Sequence, residues 1–109
     1  MGEHMSLSEF QRQVDEWTSQ FTPQYWSPQD IMLRLAEEQG ELAREVNHIY
    51  GPKKKKADEK PGSLDQEITD MIFTLICLAN REKINLDAEW ERMVREKLYG
   101  RDNQRYERK

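Results

Sequence analysis

The chain has 109 residues, of which 36% are hydrophobic and 35% charged, with a mean hydropathy of -1.04; that is one domain with a thin core, which a second subunit would complete. Its apolar residues recur at helical spacing, which excludes disorder throughout. The formal net charge of -4 excludes a protein that wraps nucleic acid through its overall field, and no apolar stretch approaches the roughly 20 residues that span a bilayer.

Residues 1–5 read as a cloning remnant followed by a second start, so the expected domain covers residues 6–106. The first predicted helix begins at Ser6 or Ser8 and runs to about Gln20, with Leu7, Phe10, Val14 and Trp17 as its apolar stripe. Pro23 closes off any continuation.

The second helix has the clearest start in the chain. Ser27 offers a capping hydroxyl, Pro28 occupies the first helical position where a missing N–H costs nothing, and Asp30 suits the positive end of the helix dipole. This helix is expected to reach about Tyr50, where Gly51-Pro52 ends it. Residues 51–62 carry two prolines, two glycines and five lysines, which predicts a mobile loop. Lys53 to Lys56 within it could steer an anionic substrate over a Debye length of about 8 Å. No aromatic residue interleaves with them to make a nucleic-acid platform.

The third helix starts at Ser63, with Gln66 three residues on, and is expected to continue to about Lys83. The run Met71 to Ala79 is apolar on nearly every side, which predicts the centre of a bundle or a subunit interface. The only cysteine, Cys77, lies in that run, so no disulfide forms within one chain, and a buried free thiol fits a reducing, cytoplasmic setting. The fourth helix is predicted from about Asn85 to Tyr99, striped by Leu86, Trp90, Met93 or Val94, and Leu98, with Gly100 as its stop and a fraying tail from Arg101. No strand is expected. The fold class is therefore all-α: a four-helix core with antiparallel neighbours, completed by oligomerisation.

Packing alone does not account for the acids. On the wheel of the second helix, Ile31, Leu35, Leu42, Val46 and Ile49 share one face, and Glu38 falls inside it. Glu41 and Glu45 lie about 60° and 20° from Glu38, and Glu37 is one turn before Glu41. Like charges this close to a core repel and lose solvation, so a cation or a basic partner is required. Glu67 and Asp70 repeat the anomaly at the head of the third helix, and Thr74 continues their line. Antiparallel packing would set Glu38 and Glu41 against Glu67 and Asp70, an all-oxygen set suited to a hard dication such as Mg²⁺, with Mn²⁺ also acceptable. Glu-x-x-His pairs of the di-iron type are absent, and His48 suits the C-terminal dipole of its helix or a place facing solvent.

The pattern Glu37-Glu38-Gln39-Gly40-Glu41, followed after 25 residues by Glu67-Ile68-Thr69-Asp70, resembles the signature of the MazG-like nucleotide pyrophosphohydrolases. Leu78-Ala79-Asn80 and Val94-Arg95-Glu96-Lys97 with Arg101 extend the resemblance to the compact single-domain members. Gln39 and Thr69 depart from the commonest form, and neither removes an oxygen ligand.

The resemblance implies a dimer or dimer of dimers that hydrolyses a nucleoside triphosphate to the monophosphate and pyrophosphate with Mg²⁺. It implies Glu38, Glu41, Glu67 and Asp70 as metal ligands, Glu37 or Glu41 as the group that orients or deprotonates water, Lys97 and Arg101 on the phosphates, and Asn80 near the substrate. Trp26, beside the Ser27 cap with Trp17, Phe21 and Tyr25 behind it, is the candidate for stacking on a base. No nucleic acid or membrane partner is expected. The alternative reading is a non-catalytic helical homo-oligomer, acting as an adaptor or nucleotide sensor.

Overall fold

The computed structural model describes residues 6–52 and 63–109, so the expectations for residues 1–5, a cloning remnant, and for Lys53 to Lys56, substrate steering, fall outside the described residues. Four α-helices follow in order: α1 (Leu7–Thr18), α2 (Pro28–Tyr50), α3 (Leu64–Arg81) and α4 (Leu86–Met93). Among the described residues there is no strand.

Each α-helix opens on a polar cap that takes up one unpaired N–H of the first turn, worth about 1 kcal/mol apiece. Ser6 Oγ accepts from Glu9 N at 3.1 Å, Ser27 Oγ from Asp30 N at 3.1 Å, Ser63 Oγ from Gln66 N at 2.9 Å, and Asn85 Oδ1 from Ala88 N at 3.1 Å. Helix α3 stops two residues before the expected end. Lys83 there adopts φ 58°, and the N–H groups of Lys83 and Ile84 bond back to the carbonyls of Asn80 and Ala79. Those two bonds make a Schellman motif with lysine where glycine is usual.

The last expected helix is wound differently from the prediction. Helix α4 ends at Met93, a π-helix runs over Val94–Arg101, and a 3₁₀ turn covers Asp102–Gln104. Gly100 is not the stop: it lies inside the π winding, where an added Cβ would come within 3.1 Å of the Arg95 carbonyl. Helical winding continues through Gln104, with Asp102 buried in it.

Helix α3 packs against α2 on one side and α1 on another, and α4 packs on α1. Side chains tie these pairs. Gln11 donates to Asn80 Oδ1 (2.9 Å) and to the Ile84 carbonyl (2.8 Å) and accepts from Leu86 N (3.1 Å), which fastens α1 to both α3 and the turn before α4. Among the described residues the buried apolar side chains are Ile31, Ile76 and Ala79. Helix α3 is central, but one chain does not wrap it, for Ile68, Ile72 and Leu75 are 45%, 47% and 47% exposed. Trp90, striped like a packing residue, is exposed as well.

Candidate active site

The antiparallel register of α2 and α3 brings the acidic residues of both helices together. Glu38 is buried to 3% exposure, and its Oε1 accepts a hydrogen bond from Thr74 Oγ1 at 2.5 Å. Its other oxygen lies 3.6 Å from Arg34 Nε, one turn back on α2, and Arg34 also pairs with the exposed Glu37 at 3.4 Å. A buried carboxylate is tolerable here because a hydroxyl and a guanidinium both address it.

The other end of the cluster has no such compensation. Glu67 Oε2 is buried with no hydrogen-bond partner among the described residues. Burial, then the close approach of the Glu41 carboxylate, then the charges of Asp70 and Glu45, push the Glu67 carboxyl above its ordinary range. Asp70 links the two ends, since it also lines a cavity with Glu38. The acids do not converge on one point: among the described residues, no three histidine, cysteine, aspartate or glutamate side chains stand close enough to hold an ion as they are. An unsatisfied buried oxygen among carboxylates is nonetheless the environment that fits a hard divalent cation, whose charge would relieve both the crowding and the missing donor.

Beside Glu38 and Asp70 opens a cavity of about 480 Å³ whose far wall is aromatic: Trp17 from the end of α1, Phe21 and Trp26 from the connection, and Phe73 from α3. Trp17 stands edge-on to Phe73 with centroids 6.2 Å apart, and its ring lies 4.9 Å from Phe21. That volume falls in the range of small-ligand sites, and aromatic walls with a few polar groups at one end are their usual lining. Cys77 also borders it, but burial, aided by the charge of Glu38, raises its thiol to about 11, so it is no thiolate nucleophile at neutral pH.

The connection between α1 and α2 is fixed by a chain of side-chain hydrogen bonds. Asn80 Nδ2 donates to Tyr25 Oη at 3.0 Å, Tyr25 donates to Asp15 Oδ1 at 2.8 Å, and Gln24 Nε2 donates to the same Asp15 oxygen at 3.0 Å. Arg81 Nε holds the Trp26 carbonyl at 3.1 Å. Asn80 is thus spent behind the cavity wall, its amide shared between Gln11 and Tyr25, while Trp26 is on the wall itself.

Lys97 and Arg101 fall elsewhere. Both pair with Asp102 and neither lines the aromatic cavity within one chain. Sequence reasoning had no role for Arg34, which sits four residues before Glu38 and could have been found as a helical ion pair, or for Phe73 and Cys77, which only the packing of α3 reveals. Glu45, noted as a border acid, is buried and acts on Glu67.

Known proteins resemble the chain in sequence and in fold. The family model described as the MazG nucleotide pyrophosphohydrolase domain matches residues 26–106. YpjD of Bacillus subtilis (strain 168) is 47% identical over 104 residues, covering 95% of this chain and 93% of YpjD. The crystal structure of Bacillus subtilis YpjD, suggested to be a pyrophosphatase, superposes with a TM-score of 0.77 at 44% identity, covering 87% of this chain and 97% of that one. The Bacillus-conserved MazG protein, a nucleotide pyrophosphohydrolase, superposes with a TM-score of 0.73 at 37% identity, covering 86% and 90%. The chain belongs to the MazG nucleotide pyrophosphohydrolase family, an all-α hydrolase acting on nucleotides.

Proposed function

We propose that the chain is a Mg²⁺-dependent nucleoside triphosphate pyrophosphohydrolase, converting an NTP or dNTP and water to the monophosphate and pyrophosphate. The observation that carries this reading is the aromatic cavity ending on Glu38 and Asp70, which sets a base-sized apolar space directly against the acidic cluster.

In this reading the base stacks against Trp26 and Trp17, and Asn80 serves the substrate indirectly, by holding Tyr25 and so the wall. Glu38, Glu41, Glu67 and Asp70 would hold the ion, with Mn²⁺ as an alternative to Mg²⁺. When bound, the ion supplies charge neutralisation at the phosphate oxygens. Glu41 or Glu37 orients or deprotonates the water that attacks the α-phosphorus, and pyrophosphate leaves. The pairing of Glu37 with Arg34 favours Glu41, which already interacts with Glu67 inside the cluster. Lys97 and Arg101 bind phosphate oxygens.

Residues 6–106 act as one domain that assembles as a dimer or dimer of dimers. The exposed Ile68, Ile72 and Leu75 of α3 support self-association, since a small chain rarely leaves so much apolar surface on its central helix. No helix among the described residues is long and apolar enough to cross a membrane, and the free Cys77 supports a cytoplasmic setting.

The test is release of pyrophosphate and monophosphate from a panel of ordinary, oxidised and methylated NTPs and dNTPs, with Mg²⁺ and with EDTA, on wild type and Glu38→Gln. Metal-dependent release of both products, lost in the variant, is the expected result. Binding of nucleotide without turnover in any member of the panel would contradict it.

A further inference from the structure

We propose that Asp102 is a positioning residue that gathers Lys97, Arg101 and Arg105 into one phosphate cradle, and that the π winding before it is what places it there. The inference rests on the reading of Lys97 and Arg101 as phosphate-binding groups, and it adds Arg105 as a third.

Lys97 and Arg101 are four apart within the π winding and so lie near one face, and Arg105 follows at the end of the 3₁₀ turn, its N–H bonded back to the Asp102 carbonyl. Asp102 is five residues beyond Lys97, which at an α-helical 100° per residue would put it roughly 140° away from that lysine. The π winding changes this. The N–H of Asp102 bonds to the Lys97 carbonyl, a five-residue span whose wider turn swings Asp102 back towards Lys97.

The consequence is a single buried anion, 9% exposed, addressed by three cations. Asp102 Oδ2 lies 3.2 Å from Lys97 Nζ, and Oδ1 lies 3.1 Å from Arg101 Nε and 3.2 Å from Arg105 Nη1. The cations hold the Asp102 carboxyl down at about 2, so it stays charged at any working pH. The three basic side chains remain about half exposed or more, and Arg105 is further steadied over the Tyr106 ring, 5.6 Å from its centroid. Three positive charges anchored from below by one negative charge leave a surplus of two facing water. Two clefts flank the cluster, and Lys97 borders both. A preorganised group of this kind suits a polyphosphate chain, because the like-charged side chains are already assembled before the anion arrives.

A buried acid at this position could instead compete with phosphate for the same cations, and the two roles predict opposite signs. The experiment is steady-state kinetics together with competitive inhibition by inorganic tripolyphosphate, on wild type, Asp102→Asn, Arg105→Ala, Lys97→Ala and Arg101→Ala. We expect Asp102→Asn to raise KM and the tripolyphosphate inhibition constant about tenfold with kcat within about twofold, the loss expected when charge-assisted bonds no longer hold the cations together. Arg105→Ala, at an exposed position that does not threaten folding, should raise both about threefold. Tighter binding by Asp102→Asn would overturn the proposal in favour of competition. Unchanged constants in Asp102→Asn and Arg105→Ala, while Lys97→Ala and Arg101→Ala weaken binding, would overturn it and leave the phosphate reading intact. No effect from Lys97→Ala or Arg101→Ala would remove that underlying reading instead.

Discussion

Thr74 donates its hydroxyl proton to Glu38 across the α2–α3 interface, 36 residues apart in sequence and 2.5 Å apart in space. The bond fixes the register of the two helices and the rotamer of the most deeply buried acid in the cluster.

Thr74→Val keeps the shape and removes the donor, leaving Glu38 with Arg34 alone. Stability should fall by about 2 kcal/mol in urea denaturation, the usual cost of leaving a buried charged acceptor short of a partner. Activity should fall too, because Glu38 would no longer be held towards Asp70.

Glu67 gives a pH prediction of the opposite kind. Its carboxyl is raised in the fold by burial and by Glu41, Asp70 and Glu45, so it holds its proton more tightly folded than unfolded. The stability it contributes is present below its ordinary value of 4.5 and is lost as the pH rises through the folded value. In EDTA at pH 7, Glu67→Gln should therefore melt above wild type, with the gap closing below pH 4.5. Mg²⁺ should raise the melting temperature of wild type and not that of the variant.

Trp26 is 55% exposed on the cavity wall, so Trp26→Ala should fold normally. Stacking on an aromatic ring is worth about 1–3 kcal/mol per base, which predicts a KM increase of roughly 5- to 150-fold for nucleoside triphosphates. Inhibition by inorganic tripolyphosphate, which has no base, should not change.

Lys83 holds φ 58° at the end of α3, a conformation that a Cβ disfavours by roughly 1 kcal/mol. Lys83→Gly should stabilise the protein by up to about that amount in thermal melts without touching activity.

Local signals carried most of the fold. The Ser27-Pro28 and Ser63 starts were legible because a cap is a contact within four residues, and Glu38 stood out because an acid inside an apolar stripe has no packing explanation. What the sequence concealed depends on contacts made far along the chain or on unusual winding. Phe73 and Cys77 read as core, yet α3 turns them towards the connection that carries Trp26. Asn80 read as a polar residue near substrate, and its partners, Gln11 and Tyr25, lie 69 and 55 residues away. Asp102 looked like part of a fraying tail because residues 101–109 are almost wholly polar, and the i to i−5 bonding that brings it towards Lys97 leaves no mark in the sequence.

The most direct test of the account is a crystal structure with Mn²⁺ and an α,β-imido deoxynucleoside triphosphate, read by anomalous scattering. An anomalous peak among Glu38, Glu41, Glu67 and Asp70, with the base in the cavity against Trp26, is the expected result. A metal bound away from those four carboxylates, or a base lying outside the aromatic cavity, would contradict it.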